Sequence, residues 1–115
     1  MHNQLVHQKL ESFFHEYQIY ILDRLPTIEF EAVLAHEYLH VWLYNNNINL
    51  PPAQREGFCN LASAYLYEQN GSKLSQIHLN SMNTNSDPNY GEGYRKMKIL
   101  LEKKGWKSLL QTLRQ

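Results

Sequence analysis

Apolar positions fall into successive stretches along the chain, separated by polar or proline-bearing breaks. Leu5, Val6, Leu10, Phe13, Phe14 and Tyr17 recur at steps of three and four, the period of an amphipathic helix over residues 5–17. Gln18 to Leu22 is short, aliphatic and β-branched and runs into Asp23-Arg-Leu-Pro26, which predicts a strand leaving into a turn. Thr27 follows Pro26 with Glu29 and Glu31 in the first turn, where carboxylates complement the helix dipole; a helix from Thr27 to Tyr44 follows, closed by an asparagine-rich break. Leu50-Pro51-Pro52 bars helix until the second proline, which suits the first turn of a helix from Pro52 to Gln69, stopped by Asn70-Gly71.

Beyond that point the pattern weakens. Lys73 to Leu79 is ambiguous, and Asn80 to Asn89, with Asp87-Pro88, reads as a polar turn-rich loop. Tyr90 to Lys104 and Trp106 to Arg114 read as two closing helices divided by Gly105. The fold class predicted is α+β, mainly α, with a single domain over residues 1–115, since one core serves 115 residues.

Composition narrows the function classes. Hydrophobic residues at 43% and charged residues at 19% suit a packed globule. The lone Cys59 excludes an internal disulfide, and neither a membrane-length apolar run nor the order of a signal peptide is present, so a soluble, cytoplasmic protein is expected. Net charge is zero, which removes a general pull toward nucleic acid; neither nucleic acid nor membrane is an expected partner. Arg95, Lys96, Lys98, Lys103, Lys104, Lys107 and Arg114 face only Glu102 in the final segment and are read as a solvated helical face.

The chemistry lies in the helix at 27–44, in the run His36-Glu37-Tyr38-Leu39-His40. Residues four apart share a helix face about 6 Å apart along the axis, so two imidazoles can address one ion, with a carboxylate beside them to accept a proton from water. With six His in 115 residues, chance placement produces the pattern in only about 0.02 of such chains. Val33, Leu34, Ala35, Val41, Trp42 and Leu43 surround it, so the helix is expected to be buried, where unpaired imidazoles are costly. A catalytic zinc site needs a third protein ligand and an open fourth position. Candidates are Glu56, His78 and Glu92. The short connection after Asn45 returns the second helix antiparallel and brings Glu56 beside the histidines; Asn60, four residues on, then faces a ring N–H of a ligating histidine. Gly57, Ala62, Ser63 and Ala64 are small enough to let those two helices approach. Tyr90, Tyr94 and His78 are candidates to hydrogen-bond the oxygen of a carbonyl under attack, and Cys59 is read as a small buried hydrophobe.

A Leu-Pro turn, Ala35-His-Glu-Tyr-Leu-His-Val-Trp-Leu43, Arg55-Glu-Gly-Phe-Cys-Asn60 and Asp87-Pro-Asn-Tyr-Gly-Glu-Gly-Tyr-Arg95 follow one another in order. From about Ile19 to the C-terminus this resembles the peptidase domain behind the LIM domains of plant ubiquitin-activated growth-regulator proteases and its bacterial relatives. The resemblance implies a gluzincin-like zinc peptidase, one zinc per chain, held by His36, His40 and Glu56 with Glu37 as base. It also implies a peptide or protein substrate and a minimal zincin-like fold, in which the motif helix packs antiparallel on the ligand-bearing helix beside a short edge strand. The chain is short for that architecture, a minimal version or a fragment of it, and one cysteine cannot build a LIM segment. The alternatives are a different small zincin, such as a repressor-cleaving regulator, and a zinc-stabilised interaction domain without catalysis.

Overall fold

The computed structural model describes residues 27–115. They form four α-helices: α1 (Thr27–Asn45), α2 (Pro52–Asn70), α3 (Lys73–Thr84) and α4 (Gly93–Arg114), with a π-helical turn at Pro88–Glu92 leading into α4.

No strand occurs among the described residues, so the arrangement is all-α and the α+β expectation is corrected. That expectation rested on Gln18 to Leu22, which lies outside the described residues together with the helix expected at 5–17. From Thr27 onward, successive capping and breaking residues close each helix directly into the next. Asn47 takes a left-handed φ of 56° after α1, and Ile48 N–H donates to Leu43 O at 2.9 Å. Pro52 opens α2 and left-handed Gly71 ends it, its N–H donating to Tyr67 O.

The ambiguous stretch after Gly71 is helical through Thr84, which overturns the loop expected from Asn80. The deciding group is Ser72, whose hydroxyl caps α3 by accepting from Ser75 N–H at 3.1 Å. Asp87 does the same for the π-helical turn, accepting from the amides of Asn89 and Tyr90. Gly105, at φ 78° and ψ 165°, breaks α4 into the two helical pieces its position predicted.

Helix α2 is the centre of the molecule, with α1 on one side and α4 on the other. Phe58, Cys59, Leu61 and Ala64 of α2 form the core with Leu43, Tyr94, Met97 and Leu109. Three pairings fix the direction of α1 against α2: His40 meets Glu56, His36 meets Asn60, and the Ser63 hydroxyl donates to Ala32 O at 2.7 Å. Position falls along α1 as it rises along α2, so the helices are antiparallel. Within the described part only Ala32 and Leu43 of α1 are fully buried; most of its other residues are half-buried, and Thr27, Glu31, Tyr38 and Tyr44 are exposed.

Not all the small residues of α2 serve the α1 contact. A Cβ on Gly57 would collide with the backbone of Gly93 and Tyr94, and one on Gly93 with the carbonyl of Ala53, so these two glycines let α2 and α4 touch backbone to backbone. Backbone cannot yield as a flexible side chain does. Gly57→Ala is therefore expected to destabilise the protein by about 1–3 kcal/mol or more, read from the denaturant midpoint; an unchanged midpoint would place the two helices further apart.

Candidate metal centre

The stripe joining α1 to α2 carries the polar groups. His36 and His40 lie one helical turn apart with ring centroids 4.9 Å apart and their Nε2 atoms at 3.1 Å. Glu56 Oε1 stands 3.2 Å from His36 Nε2 and 3.1 Å from His40 Nε2, closing a triangle. Ligands in a tetrahedral zinc site with bonds of 2.0–2.1 Å are roughly 3.3 Å apart, so the three atoms have the separations of three such ligands.

Hydrogen bonding outside the triangle settles which lone pairs point inward. The Asn60 amide NH₂ donates to Tyr90 O at 3.1 Å, which turns its Oδ1 toward His36. His36 Nδ1–H donates to that oxygen at 2.8 Å, leaving Nε2 of the neutral ring as a bare lone pair. On the far side Arg55 Nε–H donates to Glu56 Oε2 at 3.1 Å and leaves Oε1 to the histidines. Burial alone raises the Glu56 carboxyl, but the Arg55 hydrogen bond and the adjoining His40 and His36 rings outweigh it and hold the group below the usual carboxylate range. A carboxylate oxygen and an imidazole lone pair directed at one point repel unless a ring proton or a metal cation lies between them, and as a set of metal donors the three atoms fit zinc.

Cys59 is a second candidate for that point, since its Sγ, His36 and His40 offer ligand atoms all within 4.8 Å of one another. Burial, then the negative charges of Glu56 and Glu37, push its thiol far above the usual range, so it sits there as a neutral S–H. Glu56, whose Oε1 meets both Nε2 atoms at 3.1–3.2 Å as a carboxylate, has the stronger claim. The proximity was readable in the sequence: Cys59 lies three residues after Glu56, on the same side of α2.

The side chain of His40 is 26% exposed against 13% for His36, so the cluster opens to solvent on the His40 side. Glu37 is half-buried next to it, and its charge reaches both Cys59 and Tyr90. Tyr90 is 49% exposed in the π-helical turn; the charge of Glu56, then burial and the charges of Asp87 and Glu37, raise its phenol, which keeps it a proton donor.

The structure brings Glu37, Asn60 and Tyr90 to the His36–His40–Glu56 cluster and leaves three other candidates elsewhere. His78 pairs with Glu29, Nε2 to Oε1 at 2.7 Å, and stacks on Tyr67 at 4.7 Å. Glu92 is exposed at the end of the π-helical turn. Tyr94 is buried in the core between α2 and α4, its hydroxyl without a hydrogen-bond partner among the described residues. Sequence reasoning did not single out Arg55 as the group that orients Glu56, although it is the preceding residue.

No protein-family model, no curated protein and no solved structure gave a match to this chain. The chemistry therefore rests on the geometry of the cluster. Among the described residues no helix is long and apolar enough to cross a membrane.

Proposed function

We propose that the protein is a zinc-dependent peptidase with His36, His40 and Glu56 as metal ligands and Glu37 as general base. The observation that carries this reading is the 3.1–3.2 Å triangle of two Nε2 atoms and one carboxylate oxygen, open on one side and adjoined in sequence by Glu37, a carboxylate with no hydrogen bond or ion pair among the described residues. A zinc ion held there acidifies water and polarises a carbonyl oxygen. Asn60 fixes the His36 tautomer, and Arg55 fixes the rotation of Glu56.

Hydrolysis consumes one water. Its proton passes to the Glu37 carboxylate, its oxygen bonds to the peptide carbonyl carbon, the C–N bond breaks, and Glu37 returns the proton to the departing amine. The Tyr90 phenol donates to the carbonyl oxygen as negative charge builds on it. Zinc-loaded protein is expected to carry about one zinc per chain and to cleave an unstructured protein such as casein, with loss on chelation and recovery on adding zinc back. Metal-free protein that cleaves equally well would overturn the reading.

The proximity of Cys59 favours one competing arrangement, a closed site with four protein ligands and no catalysis. Cobalt separates the two. If Glu56 completes the site, the cobalt protein lacks a thiolate-to-metal charge-transfer band in the near ultraviolet, and Cys59→Ser leaves metal content unchanged. A strong band that disappears in Cys59→Ser would establish the closed site.

A further inference from the structure

Glu56, Asn60, Ser63 and Tyr67 repeat at steps of four, three and four, so they lie along one face of α2. The stripe begins at the metal cluster and continues into a cavity of about 170 Å³ whose floor is Asn60, Ser63 and Tyr67. Its wall is one face of α3, His78, Ser81 and Met82, and Asn85 and Tyr90 complete the lining. The His78–Glu29 pair ties α3 to α1 at 2.7 Å, and Tyr67 stacks on His78 with its ring 6° from parallel, so this wall is held in place. Asn60 belongs to both features, donating to Tyr90 O and accepting from His36. At 1.5 Å per residue Asn60 stands about 6 Å along α2 from Glu56, roughly the reach of two residues of an extended peptide.

Resting on the peptidase reading, we propose that this cavity is a substrate subsite that takes an uncharged polar side chain, a carboxamide above all, about two positions from the scissile bond. Among the described residues none that line it is an unpaired ion: His78 is matched to Glu29, and no Asp, Glu, Lys or Arg of the described residues lines the space. An ammonium or carboxylate entering it loses water without gaining a counter-charge. The lining is nonetheless rich in hydrogen-bonding groups. Asn85 Oδ1 is committed to Asp87 N–H, which leaves its NH₂ as a donor, and Tyr67 and Ser81 contribute hydroxyls. An aliphatic side chain strands these groups, whereas Gln or Asn offers both an acceptor and donors.

The test uses zinc-loaded Glu37→Gln protein, so that binding is read without turnover, and alanine-based hexapeptides carrying one Gln, Asn, Leu, Glu or Lys. NMR titration follows the Met82 methyl and the His78 ring. The Gln and Asn peptides are expected to bind at least about tenfold tighter than the other three and to shift both signals. Ser81→Leu, which fills the space from an exposed position, and His78→Leu should each remove that preference. Equal affinities, tighter binding of the Leu, Glu or Lys peptide, or a preference that survives both substitutions would overturn the subsite. Casein cleavage by the wild-type protein is scored separately: binding preference without turnover sinks the peptidase reading and with it the substrate role, leaving a carboxamide-binding cavity, whereas turnover without preference sinks the subsite and leaves the peptidase reading standing.

Discussion

Glu37→Gln is expected to keep zinc bound and to lower peptide hydrolysis by about 10²–10⁴-fold, the usual contribution of a positioned general base. The amide nearly matches the carboxylate in shape but cannot accept a proton from water. Glu37 lies outside the triangle formed by His36, His40 and Glu56, and no hydrogen bond among the described residues depends on it. The substitution therefore removes chemistry while leaving the ligands and their supports in place. Zinc content and thermal midpoint should equal those of the wild type while casein cleavage disappears. Undiminished cleavage would remove Glu37 as the base, and loss of zinc would make it a ligand.

Glu56→Ala is expected to abolish stoichiometric zinc at micromolar protein, as are His36→Ala and His40→Ala. The reason is specific to this cluster. Among the described residues Glu56 is the one carboxylate that meets both imidazole nitrogens, and its removal leaves the two imidazoles and an Arg55 guanidinium released from its partner. Glu56→Gln should also bind poorly, because a neutral amide oxygen is a weaker zinc ligand. Asn60→Ala acts one step further out: it frees the His36 ring and should weaken zinc by about 10–100-fold without eliminating it. Glu92→Ala should leave zinc binding nearly intact, since that side chain is exposed and no hydrogen bond or ion pair among the described residues joins it to the triangle. Full zinc occupancy in Glu56→Ala would move the third ligand elsewhere, and Cys59 is the group within range.

Much of the helical framework was legible because its signals are local. The His-Glu-x-x-His run, the proline at the start of α2, Gly71 at its end and Gly105 within α4 act through φ, through hydrogen bonds one turn away, or through the 3.6-residue period, and none requires a distant partner. The short link from Asn45 to Pro52 likewise constrains α2 to return along α1, which places Glu56 and Asn60 opposite the histidines. The helix α3 was not legible as one, because its Ser and Asn residues signal turns and outweigh the helical spacing of Leu74, Ile77 and Met82; the Ser72 cap that starts it shows only when the Ser75 amide is in place.

What the sequence by itself determined was which residues share a helix face: His36 with His40, and Glu56 with Asn60. Tertiary structure alone decided what meets what across helices. It assigned His78 to Glu29 and Tyr67 rather than to the metal cluster, buried Tyr94 in the core while leaving Tyr90 at the rim, and turned Gly57 toward Gly93 instead of toward α1. It also set the Arg55 and Asn60 hydrogen bonds that direct Glu56 Oε1 and the His36 lone pair to one point. The physical reason is range: dihedral preference and periodicity act within a few residues, whereas a ligand triangle is set to within tenths of an ångström by side-chain contacts between residues 16 and 20 apart in the chain.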